Sequence, residues 1–379
     1  MQARNGSNVM TGARARVVGC AAALVALTAM MFAPAANAET TTYLALGDSI
    51  SFGYTQEKFD LNFPNEAPSF FENGFDNIFA TDLSKPSEVG PGVTIVNDAC
   101  PGETSNGLIG ENELLGGKKS TEPAGHDPQG LGDYHPCAYL NVDGLPLHNS
   151  LSVGGQGISQ LEDALSILKE GHPAHPVDAI TLNIGSNDEL AAITQCEDEV
   201  KEELETTGKS KYPGGIPELD VSLCIGFTAE HVTIPHILGN IGQILGVLDS
   251  KEPGGGHYTG PIILLGFYNP LTFLIPTTDA LQNATNEAIE ANILPLFPNV
   301  TLANPFPVFN KGGLGVNDAA EKTAICKYTE MCNPFDQAAN EAKAGHALPP
   351  DDGDIHPSPT GYKELALLVN KAYLANPAH

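Results

Sequence analysis

Thr42-Tyr43-Leu44-Ala45-Leu46-Gly47-Asp48-Ser49-Ile50 decides the architecture of this chain. A short apolar run bounded by turn residues reads as a buried strand. Gly47 allows a tight turn, and Asp48 or Ser49 can cap a helix starting there. A strand that runs straight into a helix opens a β-α unit. A serine on that turn presents its hydroxyl at the carboxyl edge of the sheet, where the helix N-terminus favours developing negative charge. A plain helix cap is the competing reading of the same tripeptide.

Working outward, similar apolar runs recur at Val93–Val96, Asp178–Ile184, Pro261–Gly266 and Val300–Ala303. Between them lie amphipathic stretches at Ile158–Glu170, His231–Leu248 and Thr278–Leu294, and Gly361–Leu374 reads as a closing helix. Strands alternating with helices predict a three-layer α/β/α sandwich around a five-stranded parallel sheet. Ligands of such folds bind outside the carboxyl ends of the strands. Three segments, roughly 104–150, 190–226 and 304–352, do not fit that frame. They are rich in Gly, Pro, Asn and Asp and are expected to be insertions around one active-site face. No internal repeat or low-complexity linker appears, so one domain is expected.

The N-terminus reads as an export signal. Arg4, Arg14 and Arg16 precede an apolar stretch, Val17–Phe32, and Ala36-Asn37-Ala38 supplies small residues for cleavage after Ala38. Residues 1–38 are therefore set apart from the domain, 39–379. Cys20 precedes the apolar core rather than following it, which disfavours a lipid-anchored cysteine. No other apolar run is expected to span a bilayer, so no stable membrane anchor is expected. The chain carries 46 acidic against 18 basic residues, a net charge of −28. That charge repels nucleic acid and anionic membrane surfaces and suits a soluble extracellular protein, expected as a monomer.

Of seven cysteines, all but Cys20 lie beyond the signal. An even number in an exported chain predicts disulfides. Sequential pairing, Cys100–Cys137, Cys196–Cys224 and Cys326–Cys332, would have each bond close a local excursion. No C-x-x-C spacing points to a thiolate metal site.

Three further blocks stand at strand ends or ahead of the last helix, where the fold would bring them beside Ser49. Asn97-Asp98-Ala99-Cys100-Pro101-Gly102-Glu103-Thr104 follows the second strand. The Gly102 N–H can approach a ligand oxygen closely, although Pro-Gly is also a common turn. Gly185-Ser186-Asn187-Asp188 follows the third strand. The Asn187 amide can donate to an oxyanion, or the pair can simply cap a helix. Asp351-Asp352-Gly353-Asp354-Ile355-His356-Pro357-Ser358 precedes the last helix. There His356 can take a proton from Ser49, oriented by a neighbouring carboxylate. A solvated histidine among acids is the alternative.

Together these blocks resemble the SGNH/GDSL hydrolase family: Ser49 in Gly-Asp-Ser, Gly102 in the second block, Asn187 in Gly-x-Asn-Asp and His356 in the last. No serine has glycine on both sides in the Gly-x-Ser-x-Gly pattern of α/β-hydrolases. The resemblance implies a flavodoxin-like fold and a Ser49 acyl-enzyme with His356 as base. It further implies an oxyanion hole from the Ser49 N–H, the Gly102 N–H and the Asn187 amide. No metal or organic cofactor is required by that chemistry. The family usually places its acidic residue three positions before the histidine, and here that position is Gly353. Asp354 is the candidate, with Asp352 or a backbone carbonyl as alternatives. Asp351, Asp352 and Asp354 could instead bind Ca²⁺, but they lack the spacing of an EF-hand loop.

The partner implied is a small-molecule or lipid ester. Phe267, Tyr268, Leu271, Phe273 and Leu274 follow the fourth strand and read either as an acyl pocket or as core. A polysaccharide O-deacetylase is the rival substrate class, disfavoured mildly by the absence of Trp. A non-catalytic binding protein on the same scaffold is the rival of a different kind.

Overall fold

β1 (Thr41–Gly47) occupies the second position of a sheet whose spatial order is β2-β1-β3-β4-β5, with β2 at Val93–Asn97, β3 at Val177–Asn183, β4 at Ile262–Leu265 and β5 at Val300–Ala303. Every pairing is parallel. The computed structural model describes residues 41–62, 68–84, 93–110, 141–142, 145–146, 158–174, 176–212, 214–272, 275, 278–311, 319–332 and 354–379. The expected signal segment, 1–38, lies outside them. Residues Thr40–His379 cluster as one compact unit.

The period-two alternation of the strands explains why both faces of the sheet are covered. Leu44, Leu46, Ile180, Leu182, Ile262 and Leu264 point to one core. Tyr43, Ala45, Ala179, Ile263 and Leu265 point to the other. On the first face pack α4 (Gln160–Leu168), α7 (Ile234–Asp249) and α8 (Thr278–Asn292), through residues such as Leu161, Ile241 and Ile289. On the second pack α2 (Phe75–Leu83), α9 (Ala319–Tyr328) and α10 (Pro359–Leu374), through residues such as Phe79, Ile325 and Leu365. Each aliphatic side chain so buried contributes roughly 1.5–3 kcal/mol.

Local chemistry sets where these helices begin. Ser159 and Glu162 form a reciprocal capping box at the start of α4. Ser358 caps α10, whose first residue is Pro359. The strand order reverses between β1 and β3, since β2 lies on one side of β1 and β3 on the other. The crevice at such a switch point, at the carboxyl ends of the strands, is where this fold places ligands. Ser49, on the short helix α1 (Ser49–Phe52), stands at the end of β1.

Two expectations need correction. The segment 190–226 is largely helix rather than loop. α5 (Ser186–Thr207) and α6 (Pro217–Thr228) are joined by the Cys196–Cys224 disulfide. α5 buries Ile193, Cys196 and Val200 along an otherwise acidic helix. So thin an apolar stripe gives little periodic signal, and the covalent bond supplies what burial does not. Secondly, a π turn at Ala229–Thr233 links α6 to α7, giving a continuous helix from Pro217 to Asp249. By length and composition alone it could cross a bilayer. In this fold the α7 half instead buries Ile237, Ile241, Ile244, Leu245 and Leu248 in the core.

Candidate active site

The turn that carries Ser49 is built on Gly47, whose φ is 151°. A Cβ there would lie 2.3 Å from the Asn183 carbonyl oxygen of β3, so only glycine fits. The next residue ties the same contact, because the Asp48 N–H donates to Asn183 O at 3.0 Å. The Asp48 carboxylate accepts the Ile50 N–H at 2.9 Å and caps α1. The capping and functional readings of Gly-Asp-Ser are thus compatible: Asp48 caps, which frees Ser49 to turn outward. Burial raises the Asp48 carboxyl to about 7, against the lowering effect of the Ile50 N–H and of His356.

His356 Nε2 lies 2.8 Å from Ser49 Oγ, and its Nδ1 lies 2.6 Å from Asp354 Oδ1. Burial alone would raise the Asp354 carboxyl. The His356 charge and the hydrogen bonds from His356 and Gln56 outweigh it and hold the group below its usual range. An ionised carboxylate can only accept, so Nδ1 carries a proton, and in the neutral ring Nε2 is left to accept from the serine hydroxyl. The histidine loop is fixed on several sides. The Gln56 N–H donates to Asp354 Oδ2 at 2.9 Å, and the Tyr268 hydroxyl donates to Ile355 O at 3.1 Å. The Glu330 N–H donates to His356 O at 3.0 Å, beside a β-bridge between Thr329 and Pro357. The Tyr54 ring packs 4.8 Å from the imidazole. The Cys326–Cys332 disulfide closes the turn that carries Thr329 and Glu330.

Gly102 is buried with φ 78° in the turn after β2. Asn187 is buried on the first turn of α5, and its Nδ2 donates to Glu103 O at 2.8 Å. These two blocks are braced together by Asp188. Its carboxylate accepts the Ser105 N–H at 2.9 Å and the Ser105 hydroxyl at 2.7 Å, at the start of α3 (Ser105–Ile109). Asn240 of α7 donates to the same hydroxyl at 2.8 Å.

Ser49, His356 and Asp354 are therefore in contact, and the loop of Gly102 is linked to Asn187 at the start of α5 through Glu103 O. Asp351, Asp352 and Gly353 lie outside the described residues, as does Cys137. Cys100 is disulfide-bonded. Phe267 and Tyr268 are buried in the two cores, one in each. Phe267 packs close enough to Gly185 that a Cβ there would meet its ring at 2.9 Å. Leu271 packs on a cluster with Ile193 and Leu281, while Phe273 and Leu274 are outside the described residues. Gln56, Asp188, Asn240 and Gln160 were not singled out in the sequence. Only Asp188 carried a signal, its place next to Asn187.

The model of the family described as GDSL-like Lipase/Acylhydrolase matches residues 43–369, from β1 into α10. No curated protein matches the chain. Among solved structures, it is similar to a carbohydrate esterase family 2 enzyme with a carbohydrate-binding domain from Corynascus thermopiles (Myceliophthora fergusii). The identity is 14% and the TM-score 0.40, over 90% of this chain and 68% of that one. With the family match running across nearly all of the sheet and helices and through all four sequence blocks, the chain belongs to the GDSL-like lipase/acylhydrolase family.

Proposed function

We propose that this chain is a secreted serine hydrolase of carboxylic esters, with Ser49 as nucleophile, His356 as general base and Asp354 as the residue that orients it. The observation that carries the reading is the continuous hydrogen-bonded series Asp354–His356–Ser49 at the carboxyl edge of the sheet. Family membership supports ester hydrolysis, and the disulfides support an oxidising compartment.

In the proposed reaction, Ser49 Oγ attacks the ester carbonyl carbon as its proton passes to His356 Nε2. The carbonyl oxygen becomes an oxyanion, stabilised by the Ser49 and Gly102 N–H groups and the Asn187 amide. The C–O bond to the alcohol breaks, and the alcohol leaves with the proton from His356. Water then attacks the acyl-enzyme with His356 as base again, releasing the acid and restoring Ser49. Asp354 stays ionised throughout and stabilises the imidazolium.

The test is hydrolysis of p-nitrophenyl acetate, butyrate and palmitate by the oxidised chain beside Ser49→Ala. The variant should lose at least about 10⁴-fold in kcat, and an organophosphonate should label the wild type alone. The chain-length profile separates esterase from lipase. Equal background rates on all three esters, with no labelling, would sink the reading.

A further inference from the structure

Gln160 is fully buried on the first turn of α4, and its carboxamide is bonded to the nucleophile turn. Its Oε1 accepts the Gly47 N–H at 2.8 Å, and its Nε2 donates to Gly47 O at 2.8 Å. The same Nε2 also donates to Glu103 Oε2 at 3.2 Å. The reason lies in the strand pairing. β2 leaves the ladder at Asn97, opposite Ala45. The chain beyond it still serves β1, since the Asp98 N–H reaches Ala45 O and the Cys100 N–H reaches Gly47 O, both at 2.9 Å. The Gly47 N–H takes its acceptor from a side chain instead of a strand. A buried backbone donor needs such a partner.

Glu103 completes the link. Its carbonyl accepts the Asn187 amide, and it directly follows Gly102. One side chain therefore touches both the strand end that carries Ser49 and the loop that carries Gly102 and holds Asn187. α4 itself is well anchored at this end. The Ser159 hydroxyl donates to Ile109 O at 3.1 Å, and Gly110 lies so close that a Cβ there would come within 2.3 Å of Ser159.

We propose that Gln160 is a positioning residue: its carboxamide fixes Gly47 and Glu103 relative to each other and so holds Ser49 in register with the Gly102 and Asn187 donors. This rests on the ester-hydrolase reading. Gln160 touches no reacting atom. Its effect belongs to the transition state, where the oxyanion must meet donors aimed in advance, and a misplacement on the order of 1 Å costs roughly 10²-fold. Ground-state binding of the ester does not depend on that alignment, so the loss should fall on kcat.

Two variants test it. Gln160→Met keeps the volume and removes both polar atoms. Gln160→Glu keeps an acceptor for the Gly47 N–H and removes the donor. Active sites are first counted by organophosphonate titration, so that unfolded protein is excluded from the rate. Per titrated site, Gln160→Met should lose about 10–100-fold in kcat on p-nitrophenyl acetate and butyrate, with KM within about twofold of wild type. Gln160→Glu sets an acceptor against the Gly47 carbonyl and the Glu103 carboxylate and should lose at least as much; it carries the measurement alone if the methionine variant does not fold. An unchanged kcat per titrated site, or a loss confined to KM, overturns the proposal. A wild-type chain that neither hydrolyses these esters nor reacts with the phosphonate refutes the hydrolase reading first, and this inference falls with it.

Discussion

Asp354 Oδ1 accepts from both the ring Nδ1 of His356, at 2.6 Å, and the backbone N–H of the same residue, at 3.0 Å. An aspartate bonding the N–H two residues ahead makes an Asx turn. That turn folds the acid back onto the histidine from a spacing one residue shorter than the family pattern. The carboxylate thus builds the loop and orients the ring together. Asp354→Asn should lower kcat by about 10²–10⁴-fold while KM changes little. Steady-state kinetics on p-nitrophenyl butyrate would check this, and a variant with wild-type kcat would exclude Asp354 from the mechanism.

The Asn187 amide, proposed above as an oxyanion donor, also donates to Glu103 O, next to Gly102. Asn187→Ala should cost about 10²–10³-fold in kcat, the usual consequence of deleting one oxyanion donor. Chemical unfolding of the same variant distinguishes this from general damage. A rate loss no larger than the loss of folded protein would argue against the donor role.

Buried carboxyls give the fold a defined pH response. Burial raises Glu189 to about 8, against the lowering hydrogen bonds of Thr285 and Gln282, with nearby Asp188 raising it further. Burial likewise raises Asp48 and Asp76 to about 7. In the unfolded chain these groups ionise near pH 4. Between the two values the folded state binds more protons, so stability falls as pH rises through that window. Glu189→Gln keeps an acceptor for the Thr285 hydroxyl, 2.8 Å away, and removes the ionisation. It should gain on the order of a few kcal/mol at about pH 8 and little at about pH 5. Urea unfolding at both pH values would show this. An unaltered slope of stability against pH would contradict it.

The Cys196–Cys224 bond closes a loop with a sequence separation of 28. On loop-entropy grounds, replacing both cysteines with alanine should cost about 3–4 kcal/mol. Ester turnover of the folded fraction should stay within about twofold, since the bond sits in a cluster with Ile193, Ile225 and Leu281 that contains none of the proposed catalytic residues. Urea unfolding with parallel rate measurements tests both halves, and a loss below about 1 kcal/mol would mean the α5–α6 pair is held by packing alone.

The central strands were legible to within a residue or two because apolar runs such as Ile262–Leu265 are buried on both faces and end at turn residues. α4 and α10 were legible to within two residues at each end, from the amphipathic stretch Ile158–Glu170 and the closing run Gly361–Leu374. α5 escaped because Glu197, Asp198, Glu199, Glu202, Glu203 and Glu205 face largely outward, and local periodicity cannot register a helix held by a disulfide. At the site, Ser49, Gly102, Asn187 and His356 could be picked out from strand ends and from the approach to the last helix. Their supports could not. Gln160 and Gln56 act through contacts spanning 113 and 298 positions, and no local pattern distinguishes a glutamine that replaces a strand edge from one on a surface.

Ser49 and His356 meet across 307 positions, and Tyr362 of α10 closes onto Tyr54 across 308. Contacts at such separation are slow to form, because almost the whole chain must be brought to order before they stabilise anything. During synthesis Ser49 emerges 307 positions before His356. On the proposed mechanism, a chain that has not yet reached His356 carries a nucleophile with no base, and hydrolytic power arrives only once that histidine has emerged.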